Sequence, residues 1–149
     1  MTDEIDTVAL ANQLRPALLK LGRLLRREAR ALGITGGQAT LLALIHRNPD
    51  VGAGELAARE GVSAPVLTRY LDRMEAAGLV RRERSPKDAR KIRVTLTPKG
   101  VRALRSIRTR RTAFLAERLD HLSPEARAAL AEAVEPLLGL VEDEPPAMP

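Results

Sequence analysis

A mainly α chain carrying one small β-hairpin is the fold class this sequence predicts, and three observations predict it. Apolar residues recur three and four apart along most of the 149 residues, the spacing of amphipathic helices. There is one Tyr, one Phe and no Trp, so the core must be Leu, Val, Ile and Ala, which favours helices over an aromatic-rich β-sandwich. The apolar period shortens to two in a single stretch, and helical spacing resumes after it.

The first helix is predicted from Asp6 to Ala31 on Leu10, Leu14, Ala17, Leu18, Leu21, Leu24 and Leu25. Pro16 should kink it or mark its true start. Leu32-Gly33 ends it. Thr35 with Gln38 is a capping box opening a second helix, whose apolar face is Ala39, Leu41, Leu42, Leu44 and Ile45. Asn48-Pro49-Asp50 stops it. A short helix through Glu55, Leu56, Ala57 and Ala58 ends at Gly61. Ser63 caps the next helix, with Pro65 in its first turn, and that helix runs to Ala77 and stops at Gly78. Leu79–Arg84 and Lys91–Leu96 are predicted strands, with Ile92, Val94 and Leu96 as a half-buried alternation around the polar tip Ser85–Arg90. Thr97-Pro98 opens a long helix striped by Val101, Leu104, Ile107, Phe114, Leu115, Leu119 and Leu122. Ser123-Pro124-Glu125 caps a last helix on Ala126, Leu130, Ala133, Val134, Leu137, Leu138 and Val141, with a bend expected at Pro136. The Pro-rich tail from Asp143 to Pro149 is expected to fray.

Charge is unevenly placed. Arg81 to Arg111 holds thirteen cations against two acids, a net +11, whereas the remaining 118 residues sum to −5. A polycation on a mildly acidic chain is the footprint of a nucleic-acid binder. Arg102, Arg105 and Arg108 also fit a plain solvated helix face. The absence of Cys excludes disulfides, thiolate metal sites, a thiol nucleophile and a thiol redox switch. Two rings leave little for stacking single-stranded bases. His46 and His121 stand alone and have no metal-ligand spacing. Asp120, His121 and Ser123 resemble a triad only in composition, since a triad is an arrangement in space. No phosphate loop or other cofactor motif appears, so no cofactor is expected. The acidic N-terminus lacks the features of a signal peptide, and no apolar run approaches the roughly 18 residues of a membrane span. A cytoplasmic protein without a membrane partner is expected.

The helix from Glu55, the turn at Gly61-Val62 and the helix from Ser63 compose a helix–turn–helix. Leu67, Leu71 and Met74, spaced four and three, should face the core, leaving Ala64, Pro65, Thr68, Arg69, Asp72 and Arg73 outward. Short residues at a helix N-terminus let it approach base edges, and an Arg reaches guanine through two hydrogen bonds. The basic hairpin directly after it completes a winged helix–turn–helix.

Gly54-Glu55-Leu56-Ala57-Ala58-Arg59-Glu60-Gly61-Val62-Ser63, Leu67 through Glu75 and Ala77-Gly78-Leu79-Val80 resemble the MarR family (multiple antibiotic resistance regulators). So do the Asp-x-Arg spacing of Asp88-Ala89-Arg90 and the stretch Val94 to Gly100. The resemblance runs from about Thr35 to Gly100 at motif level, and the flanking helices agree in length and order. It implies one MarR-type domain over 1–149, with a DNA-binding lobe at 35–97, dimerisation helices at 6–31 and 98–142, and a flexible tail at 143–149. It implies a homodimeric, sequence-specific regulator of duplex DNA, a repressor released by a small ligand such as an anionic aromatic. The recognition helix, 63–77, would place Ser63, Ala64, Pro65, Thr68 and Arg69 in the major groove, with Arg73 on phosphate or bracing the helix. In the wing, 84–91, Arg90 would enter the minor groove, oriented by Asp88, with Arg84, Lys87 and Lys91 near the sugar-phosphate backbone.

Effector candidates are Arg23, Arg27, His46 and Tyr70. His46 is most simply a surface histidine favoured by a helix C-terminus, and core packing accounts for Tyr70 at least as well as a place beside DNA or in a pocket. Gly52 departs from the family's usual Thr or Ser cap and Gly36-Gly37 from a Pro-containing helix start, both weakening caps. Leu67 is bulkier than the usual Val. Without Cys, peroxide sensing by a thiol is excluded. The dimer also follows from length, because the outer helices are too long to bury their stripes on a three-helix winged domain. Two-fold symmetry then predicts a palindromic operator with half-sites roughly 10 bp apart. One alternative is an architectural protein that binds any duplex alike, whereas a regulator prefers its operator by about 10³-fold or more. A second, a small-molecule enzyme, is disfavoured by the missing motifs.

Overall fold

A computed structural model describes residues 5–142. Six helices and a hairpin follow one another: α1 (Thr7–Arg30), α2 (Gly36–Arg47), α3 (Ala53–Glu60), α4 (Ala64–Ala76), β1 (Val80–Arg84), β2 (Ile92–Leu96), α5 (Pro98–Asp120) and α6 (Pro124–Glu142). The expected tail at 143–149 lies outside the described residues.

The helix starts are set by side chains. The Asp6 carboxylate accepts from the Val8 and Ala9 amides at 3.0 and 3.3 Å. The Thr35–Gln38 box is closed in both directions, at 3.2 and 3.0 Å, so Gly36-Gly37 does not weaken that cap. Space explains Gly36: a Cβ there would stand 2.6 Å from Cδ of Arg26, which lies over it. At Gly52 no side chain caps α3, as its lack of one dictates. Ser63 occupies the N-cap position of α4, but its hydroxyl makes no capping bond. α1 runs unbroken through Pro16 from a start nine residues earlier, so Pro16 does not mark the helix start. Gly61 and Gly78, at φ +62° and +74°, supply the left-handed exits from α3 and α4 that an L side chain resists.

The strands pair antiparallel from Val80↔Leu96 to Arg84↔Ile92. Each is one residue shorter than the alternation suggests. Leu79 belongs to the exit of α4, its amide bonding the Met74 carbonyl at 2.9 Å, and the Lys91 amide closes the tip turn on Asp88 at 3.0 Å. Of the alternating residues, Val94 is buried and Leu96 half-buried, but Ile92 is exposed. Ile92 pairs with Arg84 at the outer end of the hairpin, next to the polar tip. Val51 accepts from the Val94 amide at 3.0 Å, and Gly52 bridges Arg93, so the α2–α3 loop flanks β2.

The core is aliphatic: Leu41, Leu42 and Ile45 of α2, Leu56 of α3, Leu67, Leu71 and Met74 of α4, Val80 and Val94 of the hairpin, and Leu104 and Ile107 of α5. α5 docks on α1 through an Arg110–Glu28 pair at 3.1 Å and an Arg111 Nε bond to the Leu25 carbonyl at 3.1 Å. Burial, and then the nearby Arg26 charge, pull the Arg111 pKa below its ordinary value.

The outer helices are different. The α5 stripe is core only in its first half; Phe114 and Leu115 are half-buried, and Leu119 and Leu122 are exposed. On α1 only Ala29 is buried. No α6 residue whose burial is described is buried. Leu10, Leu14, Leu18 and Leu19 line, with Leu140, an open apolar groove of about 520 Å³. Apolar surface of this kind marks an interaction site on a soluble protein.

Candidate nucleic-acid interface

The interface begins with the division of α4 into two faces. Leu67, Leu71 and Met74 are buried, while Ser63, Ala64, Pro65, Thr68, Arg69 and Arg73 are all exposed. Pro65 has no N–H, and the free Ser63 hydroxyl leaves the first turn of α4 open to an acceptor from outside. The Thr68 hydroxyl donates to the Ala64 carbonyl at 2.9 Å, which fixes the side chain and leaves the oxygen able to accept. Among the described residues, neither Arg69 nor Arg73 pairs with a carboxylate.

Asp72 shares this outward face, yet it is not free. It pairs with Nη2 of Arg82 on β1, and Glu75 pairs with Nε of the same guanidinium at 3.3 Å. One arginine thus holds two acids of the recognition helix, offsetting one of their two charges, and ties the wing to it. The brace that sequence reasoning offered to Arg73 belongs to Arg82.

A second arginine fastens the wing to the body. Arg93 lies opposite Glu83 in the ladder and holds it through Nε at 3.0 Å and Nη2 at 2.6 Å, while Nη1 reaches Asp50 at 3.1 Å. Lys87, expected only near the sugar-phosphate backbone, also touches Asp50 at 3.2 Å, with its side chain 80% exposed. Arg82 and Arg93 therefore drop out of the free polycation. Their partners Asp72, Glu75, Glu83 and Asp50 are scattered in sequence, and only Glu83–Arg93 could be read beforehand, as a cross-strand pair.

Hydrogen bonds from Lys87 and then Arg93 hold the Asp50 carboxyl below the ordinary carboxylate range. Glu83 first, then Asp50, raises the Arg93 pKa. A depressed carboxylate pKa gives stability that is complete above the ordinary range and is lost as pH falls through the depressed value. The wing anchor is therefore expected to be indifferent to pH near neutrality and to weaken only in acid. Protection of the Val94 amide, which bonds Val51, should fall there relative to its intrinsic exchange rate at the same pH, and Asp50→Asn should flatten that dependence. Equal acid sensitivity in the variant would remove Asp50 from the anchor.

At the wing tip, Arg84 Nη1 donates to the Ala89 carbonyl at 3.0 Å and stiffens the turn. Asp88 accepts from the Arg90 amide at 3.0 Å and stands 3.4 Å from its Nε, while the Arg90 side chain is 93% exposed. That is an arginine aimed outward from a fixed base. Lys91 is exposed beside it.

The effector candidates are not gathered together. Arg23 and Arg27 are exposed on α1. His46 edges a cleft of about 130 Å³ with Arg105 and Arg108. Tyr70 is half-buried against the core margin, its ring beside Gly37, which is a packing role.

A family model described as MarR family matches residues 32–91. An HTH-type transcriptional regulator of Mycobacterium tuberculosis is 31% identical over 136 residues, covering 91% of this chain and 95% of that protein. The HTH-type transcriptional repressor MdtR of Bacillus subtilis is 27% identical over 139 residues, covering 89% and 85%. The apo form of wild-type MarR from E. coli superposes with a TM-score of 0.72 at 27% identity, covering 87% of this chain and 96% of that one.

Proposed function

We propose, from the premise that this chain belongs to the MarR family of DNA-binding winged-helix transcription regulators, that it acts as a homodimeric, sequence-specific repressor released by a small ligand. One observation carries the reading of the site. The recognition helix and wing tip offer exposed cations, Arg69, Arg73, Arg90 and Lys91, of which, among the described residues, only Arg90 touches a carboxylate, its own support Asp88, while the nearby acids Asp72, Glu75, Glu83 and Asp50 are held by Arg82, Arg93 and Lys87. Ser63, Ala64, Pro65, Thr68 and Arg69 read base edges in the major groove, and Arg73 holds phosphate. Arg90 enters the minor groove from its Asp88 support, with Arg84, Lys87 and Lys91 along the backbone. Residues 35–97 form the DNA-binding lobe, and 6–31 and 98–142 bring two copies together. The repressor sign is supported by the relative MdtR. No described helix is long and apolar enough to cross a membrane, which suits a protein working on the chromosome in the cytoplasm.

Selection of bound fragments from a random duplex pool tests the reading. It should return a palindrome, whereas equal affinity for every duplex at fixed salt would favour an architectural protein. On the selected site, Arg69→Ala should cost about 1–3 kcal/mol and relax preference at one position. Uniform weakening across sequences would make Arg69 a phosphate contact instead.

A further inference from the structure

The start of α4 carries an outward patch with few polar groups to offer. Ala64 and Thr68 lie one turn apart, Pro65 lies three residues before Thr68, and all three are exposed, so they share one side of the helix. The Ala64 side chain is a single methyl. Pro65 presents a hydrocarbon ring and has no N–H. The Thr68 hydroxyl donates its one proton to the Ala64 carbonyl at 2.9 Å, so this side chain has no donor left for a partner. With the hydroxyl tied back to its own helix, the methyl on the same Cβ is the group left free.

The charged neighbours narrow what such a patch can read. Asp72, one turn beyond Thr68, is the side chain here that would accept from a cytosine amino group, but Arg82 holds it. Arg69 stands beside the patch with no carboxylate partner among the described residues. The helix therefore offers one strong donor next to three apolar contacts. On the major-groove edges of DNA, the O6 and N7 of guanine suit that donor, and the one apolar group is the 5-methyl of thymine. No hydrogen bond can use a methyl. Burial and dispersion can, provided that the side chains are short enough for the helix to come close.

We propose that Ala64, Pro65 and the Thr68 methyl recognise thymine by its 5-methyl group, beside a guanine taken by Arg69. The proposal rests on the reading of α4 as the major-groove element, and it adds which feature of the bases that element takes. Thr68 is the specificity-determining residue, acting through its methyl and not through its hydroxyl. Side chains one turn apart on a helix are separated by about 5–6 Å, and successive base pairs by about 3.4 Å. The thymine therefore lies within about three base pairs of the guanine.

Anisotropy on the selected duplex, with thymine replaced by deoxyuridine one position at a time, tests this. Uracil keeps every hydrogen-bonding group of thymine and lacks only the methyl. Burying one such group is worth about fourfold in affinity. Uracil at the recognised position should therefore weaken binding about fourfold in one half-site and about fifteenfold in both. That position should fall within about three base pairs of the guanine whose preference Arg69→Ala relaxes. Cytosine there should bind weakly, and 5-methylcytosine should recover about fourfold. Thr68→Ser keeps the hydroxyl and removes the methyl, so it should bring the thymine-to-uracil ratio close to one. Thr68→Val keeps a methyl and should keep the ratio, with circular dichroism reporting an intact fold in both variants. Indifference of the wild type to uracil throughout the half-site would overturn the proposal and leave the sequence-specific reading standing. Loss of affinity on replacing the paired adenine by purine, with no response to uracil, would do the same and assign the contact to the Thr68 oxygen. An unchanged ratio in Thr68→Ser would overturn the role of Thr68. Failure to prefer any duplex would overturn the regulator reading itself.

Discussion

Gly100→Ala is expected to cost about 3 kcal/mol or more of folding stability, at or beyond the upper end of overpacking substitutions. Gly100 is buried in the first turn of α5, and a Cβ there would stand 2.0 Å from the Leu79 carbonyl oxygen and 3.0 Å from its carbon. Both are backbone atoms, so no rotamer change relieves the clash. Leu79 cannot retreat cheaply, because its amide bonds Met74 and its carbonyl accepts from the Thr97 amide at 3.1 Å. The strain falls where α5 grips the exit of the recognition helix, so duplex affinity should fall with stability. Gly54→Ala is the control. Gly54 is also helical, but its added Cβ meets nothing within 4 Å, so alanine should be neutral or stabilising by up to about 1 kcal/mol. Urea midpoints separate the two. Equal midpoints for Gly100→Ala and wild type would mean that α5 and Leu79 do not approach so closely.

What was legible in the sequence was whatever depends on neighbours a few residues apart. The Thr35–Gln38 box, the Leu67, Leu71 and Met74 face and the Gly61 and Gly78 stops all follow from local spacing, and the structure has each of them. The orientation of α4 follows too, because one buried face fixes the opposite one. The charge partners were not legible. Counting cations from Arg81 to Arg111 treats Arg82 and Arg93 like Arg90, yet Arg82 lies across two acids of α4 and Arg93 reaches back 43 residues to Asp50. Such pairings depend on which loop lies beside which strand, and a period carries no information about that. Lys99 was hidden for the same reason. In sequence it is one more charge opening a long helix, and only folding brings it to the Ala77 carbonyl. Ser63 shows the converse limit: sequence places it correctly at the N-cap, but its hydroxyl makes no local bond.

Leu18→Glu should separate the two-copy reading from the single-chain fold. Leu18 is 46% exposed and outside the buried core, so the charge removes little from the monomer itself. It would, however, sit in the groove formed with Leu10, Leu14, Leu19 and Leu140. Burying an unpaired carboxylate against a second copy is costly enough to oppose assembly. Sedimentation should show a dimer for the wild type and a monomer for the variant at the same concentration. One winged helix would then bind a half-site without the effective concentration that its twin supplies, and operator affinity should fall about 10²- to 10⁴-fold. Base preference within the half-site should survive, because Thr68 and Arg69 are untouched. That pairing of lost affinity with retained preference distinguishes a broken dimer from a damaged recognition helix. Should the variant unfold, Val134→Glu on α6, at a residue 54% exposed, places the same charge on the other outer helix. A dimer with full affinity in both variants would mean that the apolar faces of α1 and α6 are covered by something other than a second copy.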